Sequence, residues 1–140
     1  SLAVLYGNRA ECHHKLNNIT NFLEDAKKNV DYDGTWYKGH HRVGRAFRER
    51  GKLPNAVKAF VNAYNTLKPA DGEQMKRVIL ADLVETAIQQ KAGSHTFLKE
   101  LDFVSTATWF YLAYDFIKKK EWHLAEFVVK RALDTGVDSE

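Results

Sequence analysis

Positive charge is concentrated in one short stretch of this sequence. Between positions 38 and 52 stand Lys38, Arg42, Arg45, Arg48, Arg50 and Lys52 against a single acid, Glu49. On a helix, Lys38, Arg42 and Arg45 follow one another at spacings of four and three, so they share one face. Asn8 lies 34 positions before Arg42, and a chain that repeats at that interval sets the two side by side. An amide, an ammonium and a guanidinium in a row suit carboxylates. The guanidinium can hold one bidentately, and the others add charge-assisted hydrogen bonds. Side chains of these types on an exposed helix face are most often simply solvated, and Glu11 and Glu49 fall near enough to weaken the site. Arg9 reads as a structural ion-pair partner rather than a ligand-binding residue.

Other reactive side chains carry less. Neighbouring residues on a helix point about 100 degrees apart, so neither His13-His14 nor His40-His41 can chelate one ion as an i, i+4 pair would. Ring packing at His13 and His40 is the simpler expectation. Cys12 is expected on a packed helix face, with no orienting acid at a recognisable spacing. Glycine loops that cradle phosphates are absent. No catalytic residue, metal or cofactor is expected.

The elements that must position the basic face are helices. A first helix is expected from about Leu2 to Leu16, ending at Asn17-Asn18, where asparagine tolerates the left-handed conformation. A second runs from about Thr20 to Tyr32 and stops at Asp33-Gly34. Trp36 to Arg50 and Pro54 to Leu67 form the next pair, with Gly51 closing the former and Pro54 in the first turn of the latter. Gly44 and Ala46 face Ala56, Phe60 and Ala63 at helical spacing, and small residues let two helices approach closely. Glu73 to about Lys91 has the apolar spacing of a longer amphipathic helix, ended by Ala92-Gly93-Ser94. Thr96 to Val104 reads as a short packed helix, and Thr106 to about Asp134 as a last hairpin.

The pattern recurs. Asn8 and Ala10 precede Arg42 and Gly44 by 34 positions, and Ala113 follows Gly44 by 69. With Trp109, Leu112, Phe116, Ala125 and Ala132 in the last hairpin, this resembles the tetratricopeptide repeat (TPR) family, whose unit is about 34 residues of helix-turn-helix. The resemblance implies an all-α, right-handed α-solenoid over residues 1–140. Its units would be about 3–34, 35–70, a degenerate one at 71–105 that includes the longer helix, and 106–136. Phe22 and Asn29 stand where the family has alanines, so the first unit must pack more loosely or rearrange.

The strings LYGNR and TWYKGHHR look like those of TPR co-chaperone domains that hold the acidic carboxyl-terminal tails of heat-shock chaperones in a clamp of five residues. Asn8, Lys38 and Arg42 match three of the five. The other two, a lysine and an asparagine, would belong to a unit before Ser1. The same strings resemble, less closely, those of TPR-containing ubiquitin ligases and adaptors. In such arrays the first helix of every unit lines the inner surface, where Tyr111 and Tyr114 take the positions of Arg42 and Arg45. The implied function is a protein-binding adaptor without catalysis. Its peptide-binding residues would be Asn8, Lys38, Arg42, Arg45, Tyr111 and Tyr114, and alanine at Lys38 or Arg42 is expected to weaken the peptide with the fold retained.

Composition is compatible with this. The chain is 44% hydrophobic and 28% charged, the balance of a globular domain with its own core. A net charge of +3 makes nucleic acid a weaker expectation than protein, although a basic and aromatic surface could stack single-stranded RNA. Exposed Leu2 and Leu5 offer a third reading, a homodimer. No stretch is apolar for long enough to span a membrane or to serve as a signal peptide, and the single cysteine gives no disulfide framework. The expected location is the cytoplasm or the nucleus.

Overall fold

The computed structural model describes residues 1–90, 101 and 104–134, and among these every regular element is helical. Helices α1 (Leu2–Lys15), α2 (Ile19–Tyr32), α3 (Tyr37–Glu49) and α4 (Leu53–Asn65) are followed by a short 3-10 turn, Pro69–Asp71. Then come α5 (Glu73–Gln89), α6 (Thr106–Lys118) and α7 (Trp122–Asp134). Observed ends lie within two residues of those expected. The helix expected over Thr96 to Val104 falls outside the described residues except for Leu101 and Val104, both buried. Ala92-Gly93-Ser94 falls outside them too. The chain divides into two compact units, Ser1–Asp71 and Gly72–Glu140.

One turn is used three times. Asn17, Gly51 and Lys120 follow the ends of α1, α3 and α6 with φ of 61°, 74° and 59°. In each case the next amide reaches back to a carbonyl near the helix end. Asn18 donates to His13 O at 2.8 Å, Lys52 to Phe47 O at 2.9 Å and Glu121 to Phe116 O at 3.0 Å. This Schellman arrangement satisfies carbonyls the helix leaves open, and the residue in the left-handed conformation sends the chain straight into the next helix. The turns are therefore 34 and 69 positions apart, and three-residue connections force α1–α2, α3–α4 and α6–α7 into antiparallel hairpins.

In the first unit, α1 packs on α2, α2 on α3 and α3 on α4. The core joins Ala10, Phe22, Leu23, Ala26 and Ala46, with Val43 and Phe47 packed against it. Phe22 and Asn29, the two departures from the repeat pattern, are both fully buried. The packing is rearranged rather than loose, and for Asn29 the room comes from glycines on the facing helices. A Cβ on Gly7 would stand 2.8 Å from Asn29 Oδ1, and one on Gly39 would stand 3.2 Å from Asn29 Cγ. Arg9 ties α1 to α2 as expected of a structural residue. Its Nε donates to Asp25 Oδ2 at 2.6 Å and its Nη2 to Oδ1 at 2.9 Å, with Asp25 buried.

In the second unit, α6 packs against both α5 and α7. Ile79, Leu80, Leu83 and Val84 are buried on α5, Trp109, Leu112 and Phe116 on α6, and Ala125, Val128 and Ala132 on α7. An ion pair at 2.7 Å from Arg77 Nε to Asp115 Oδ2 joins α5 to α6 at the edge of that core.

Helices α3 and α4 come close at Gly44, where a Cβ would sit 2.5 Å from Cε1 of the fully buried Phe60 ring. Alanine gains about 1 kcal/mol of helix propensity over glycine, but overpacking a core costs about 1–3 kcal/mol, and this ring has no solvent to move into. Gly44→Ala is expected to lower stability in urea denaturation, and the same change in a Phe60→Leu background to cost less. Equal costs in both backgrounds would contradict this packing.

Candidate peptide-binding face on α1 and α3

Arg42 is the centre of this face, and it is more deeply set than an exposed binding residue would be. It is 9% exposed. Its Nη1 donates to Asn29 Oδ1 at 2.7 Å, and its Nε donates to Glu11 Oε1 at 3.2 Å. Arg45, one turn on, donates to the same carboxylate through both terminal nitrogens, at 2.7 Å to Oε1 and 3.3 Å to Oε2. Its Nη2 also lies 3.4 Å from His14 Nδ1, and His14 Nε2 lies 2.7 Å from Glu49 Oε1. Asn29, Arg42, Glu11, Arg45, His14 and Glu49 thus form one continuous chain of polar contacts across α1, α2 and α3. Space for it exists because residue 7 has no side chain: a Cβ there would overlap the Arg42 guanidinium.

Lys38 and Asn8 are exposed. Lys38 stands one turn before Arg42, with its ammonium 5.6 Å from the Trp36 ring, and the Arg42 guanidinium lies 5.5 Å from the same ring. Trp36, the residue just before α3, therefore holds both cations near its face. Asn8 is three residues before Glu11 and so lies on the same face of α1. Its side chain makes no hydrogen bond among the described residues.

Two opposing effects set the charge of Glu11. Burial pushes its carboxyl up, but hydrogen bonds and charge from Arg45, then Arg42, outweigh burial and hold it below the ordinary carboxylate value. Asp25 is lowered as well, first by its hydrogen bond from Arg9 and against its own burial. Both groups are ionised at neutral pH.

Tyr111 and Tyr114 lie on α6 in the second unit, 54% and 57% exposed. The Arg77 guanidinium is 5.8 Å from the Tyr111 ring, and Lys118 Nζ is 5.5 Å from the Tyr114 ring. Each of these two rings thus has a basic group beside it.

Some expectations need correction. Ring packing falls to His14, 4.9 Å from Phe22, and to His41, 5.6 Å from Phe60. His13 instead lies 3.4 Å from Asp25, and His40 Nε2 lies 2.8 Å from Gly34 O. Cys12 is exposed, because the buried stripe of α1 is Ala3, Gly7 and Ala10 and position 12 turns away from it. Asn29 and Trp36 were not singled out as part of the site. The signal was present for Asn29, a polar residue where the pattern calls for alanine, and its use is to hold Arg42. Among the described residues no group of His, Cys, Asp and Glu could hold a metal ion, and no helix is long and apolar enough to cross a membrane.

Among the described residues, antiparallel hairpins closed by the same three-residue turn, with a basic face on the first helix of the second hairpin, are an all-helical, TPR-like arrangement. The chain is similar to E3 ubiquitin-protein ligase TTC3 of Rattus norvegicus, 36% identical over 76 residues, or 54% of this chain and 4% of that protein. It is also similar to two Saccharomyces cerevisiae proteins. Heat shock protein STI1 is 35% identical over 60 residues, 43% of this chain and 10% of that protein. Small glutamine-rich tetratricopeptide repeat-containing protein 2 is 29% identical over 75 residues, 54% of this chain and 22% of that protein. The matched segments are thus a small part of much longer relatives, all of them TPR-containing. No family model matches the chain.

Because the Glu11 carboxyl is held below its ordinary value near 4.5, its contribution to stability is complete above that value and is lost as pH falls through the lower value of the folded state. Glu11→Gln removes that contribution. The stability difference between the parent and Glu11→Gln, measured by urea unfolding, is expected to be larger at pH 6 than at pH 3. A difference that stays constant with pH would mean that the two arginines do not act on this carboxyl.

Proposed function

We propose that this domain is a protein-binding adaptor, without catalysis of its own, whose α1–α3 face receives the acidic carboxyl-terminal tail of a partner. The observation that carries this reading is the Glu11 carboxylate, held by Arg42 and bidentately by Arg45. The face is already shaped to accept a carboxylate, and the exposed Lys38 and Asn8 extend it outward from that point. In this reading a ligand carboxylate takes Lys38 and Asn8 first and shares the two arginines with Glu11. Charge-assisted hydrogen bonds of this kind are the strong ones, and the bidentate fork of arginine favours a planar carboxylate over other anions.

Similarity to a heat shock protein and to other TPR proteins supports tails of the chaperone type as the first ligands to try. In the second unit, taken by itself, the exposed Tyr111 and Tyr114 supply flat apolar contacts of the kind that anchor peptide side chains.

Calorimetric titration with a peptide ending Glu-Glu-Val-Asp, and with the same peptide amidated at its carboxyl terminus, tests the proposal. Binding that is lost on amidation and weakened about tenfold by Lys38→Ala is expected, roughly the contribution of one charged hydrogen bond. Equal binding of the amidated peptide would exclude the carboxylate, and an unchanged affinity in Lys38→Ala would exclude this face. Arg42→Ala is the poorer test. It strips Asn29 and Glu11 of a partner in a site with little exposure, so it costs stability as well as affinity.

A further inference from the structure

Helix α3 has a second face, turned roughly 100 degrees or more around its axis from Arg42, which carries His40, Val43 and Phe47. With α2 and α4 this face forms a groove of about 330 Å³. Its floor is apolar, from Val30 on α2, Val43 and Phe47 on α3 and Ala59 on α4. Its α4 rim is a polar line at spacings of three and four: Asn55, Lys58, Asn62. All three are exposed, and among the described residues none makes a side-chain hydrogen bond or ion pair. On the opposite rim Lys27 places its ammonium 5.4 Å from the Phe47 ring, directly over the floor. Asp31 is the one acid of the groove, so two ammonium groups stand against one carboxylate.

Exposed asparagines and lysines are usually just solvated. Here they flank uncovered apolar surface, and their spacing has a geometric counterpart. Seven residues of helix rise about 10.5 Å, and a polyproline II segment, which turns its backbone back to the same side every three residues, rises about 9.3 Å over that interval. An asparagine amide carries both a donor and an acceptor, so it can pair with the N–H and the C=O of one residue of an extended chain. Asn55 and Asn62 therefore match two residues three apart on a polyproline II segment laid along α4. Successive side chains of such a segment point about 120 degrees apart, which sends one down to Val43 and Phe47 and leaves its neighbours at the level of Lys27 and Lys58. A volume near the lower limit for ligand pockets fits side chains of a peptide better than a folded element.

We propose that this groove is a second docking site, which takes an extended segment of a partner protein carrying an apolar side chain beside an acidic one. The main chain pairs with Asn55 and Asn62, the apolar side chain covers Val43 and Phe47, and the carboxylate lies between Lys27 and Lys58. No free carboxyl terminus is required, so an internal segment of a partner can bind here independently of the α1–α3 face.

The test is a titration of the isotopically labelled protein, followed by amide chemical shifts, with the blocked peptide Ac-Gly-Asp-Leu-Asp-Gly-NH2. This probe has no terminal carboxylate. Saturable shifts are expected at Val43, Phe47 and Lys58. The affinity should fall about tenfold or more in the Asn55→Ala, Asn62→Ala double variant and in Lys58→Glu, and stay unchanged in Lys38→Ala. All of the altered residues are exposed, and the spectrum itself reports whether the fold is kept. The proposal is overturned if no saturable shift appears at millimolar peptide, or if the double variant binds equally well. It is equally overturned if the same peptide with lysine for both aspartates binds as tightly, or if Lys38→Ala abolishes the shifts.

Discussion

The guanidinium of Arg42 is the interaction on which the basic face of the first unit depends. It belongs to α3, takes one partner from α2 and another from α1, and occupies the space left by Gly7. A buried cation is costly unless each of its directions is answered, and here an amide oxygen answers one and a carboxylate another. The positions of Glu11 and Arg45 follow from this, since Glu11 is shared between the two arginines and Arg45 is drawn along α3 towards it. The small residues along α1 and α3 serve the same end. Gly7 and Gly39 admit Asn29, so α1, α2 and α3 close up far enough for one side chain to bridge them, and Gly44 in turn admits Phe60 of α4.

In the proposed reading, a face organised by an internal carboxylate receives a second one, and so it carries its own competitor. The carboxylate of Glu11 is tethered and pre-positioned, whereas a free peptide must give up translational freedom to bind. Affinity then depends on what the ligand gains beyond the arginines, namely the exposed Lys38 and Asn8 and whatever its body contacts. Lys38 is solvated and close to the Trp36 ring, so its contribution falls with salt and does not by itself make a tight complex. The proposed reading thus favours tails with more than one carboxylate.

The helices and their hairpin pairing were legible in the sequence because turn chemistry repeats. Asn17 and Gly51 are residues that adopt the left-handed conformation readily, and their interval matches the interval between Asn8 and Arg42. Lys120 performs the same role without advertising it, since lysine has no preference for that conformation and only the surrounding hydrogen bonds hold it there. Arg9 was legible as structural and Glu11 as a neighbour of the basic face. The depth of Arg42 was not. Helical spacing tells which side chains share a face, but whether a face is solvent or seam depends on the helices packed beside it, and here on glycines seven and thirty-nine positions into the chain. The same limitation misassigned the ring-packed histidines by one residue each and put Cys12 on the wrong side of α1. The groove between α2 and α4 was invisible for a related reason: its residues come from three helices and have no common spacing.

Competition between Glu11 and a ligand carboxylate is the central claim, and its most direct measurement is the affinity of Glu11→Gln for the free peptide ending Glu-Glu-Val-Asp, compared with the parent by calorimetry. Neutralising the internal carboxylate frees the hydrogen-bonding capacity of Arg42 and Arg45, so the variant is predicted to bind the tail more tightly, with the gain absent for the amidated peptide. Equal or weaker binding by Glu11→Gln would show that these arginines are purely structural and that the ligand, if any, is received elsewhere.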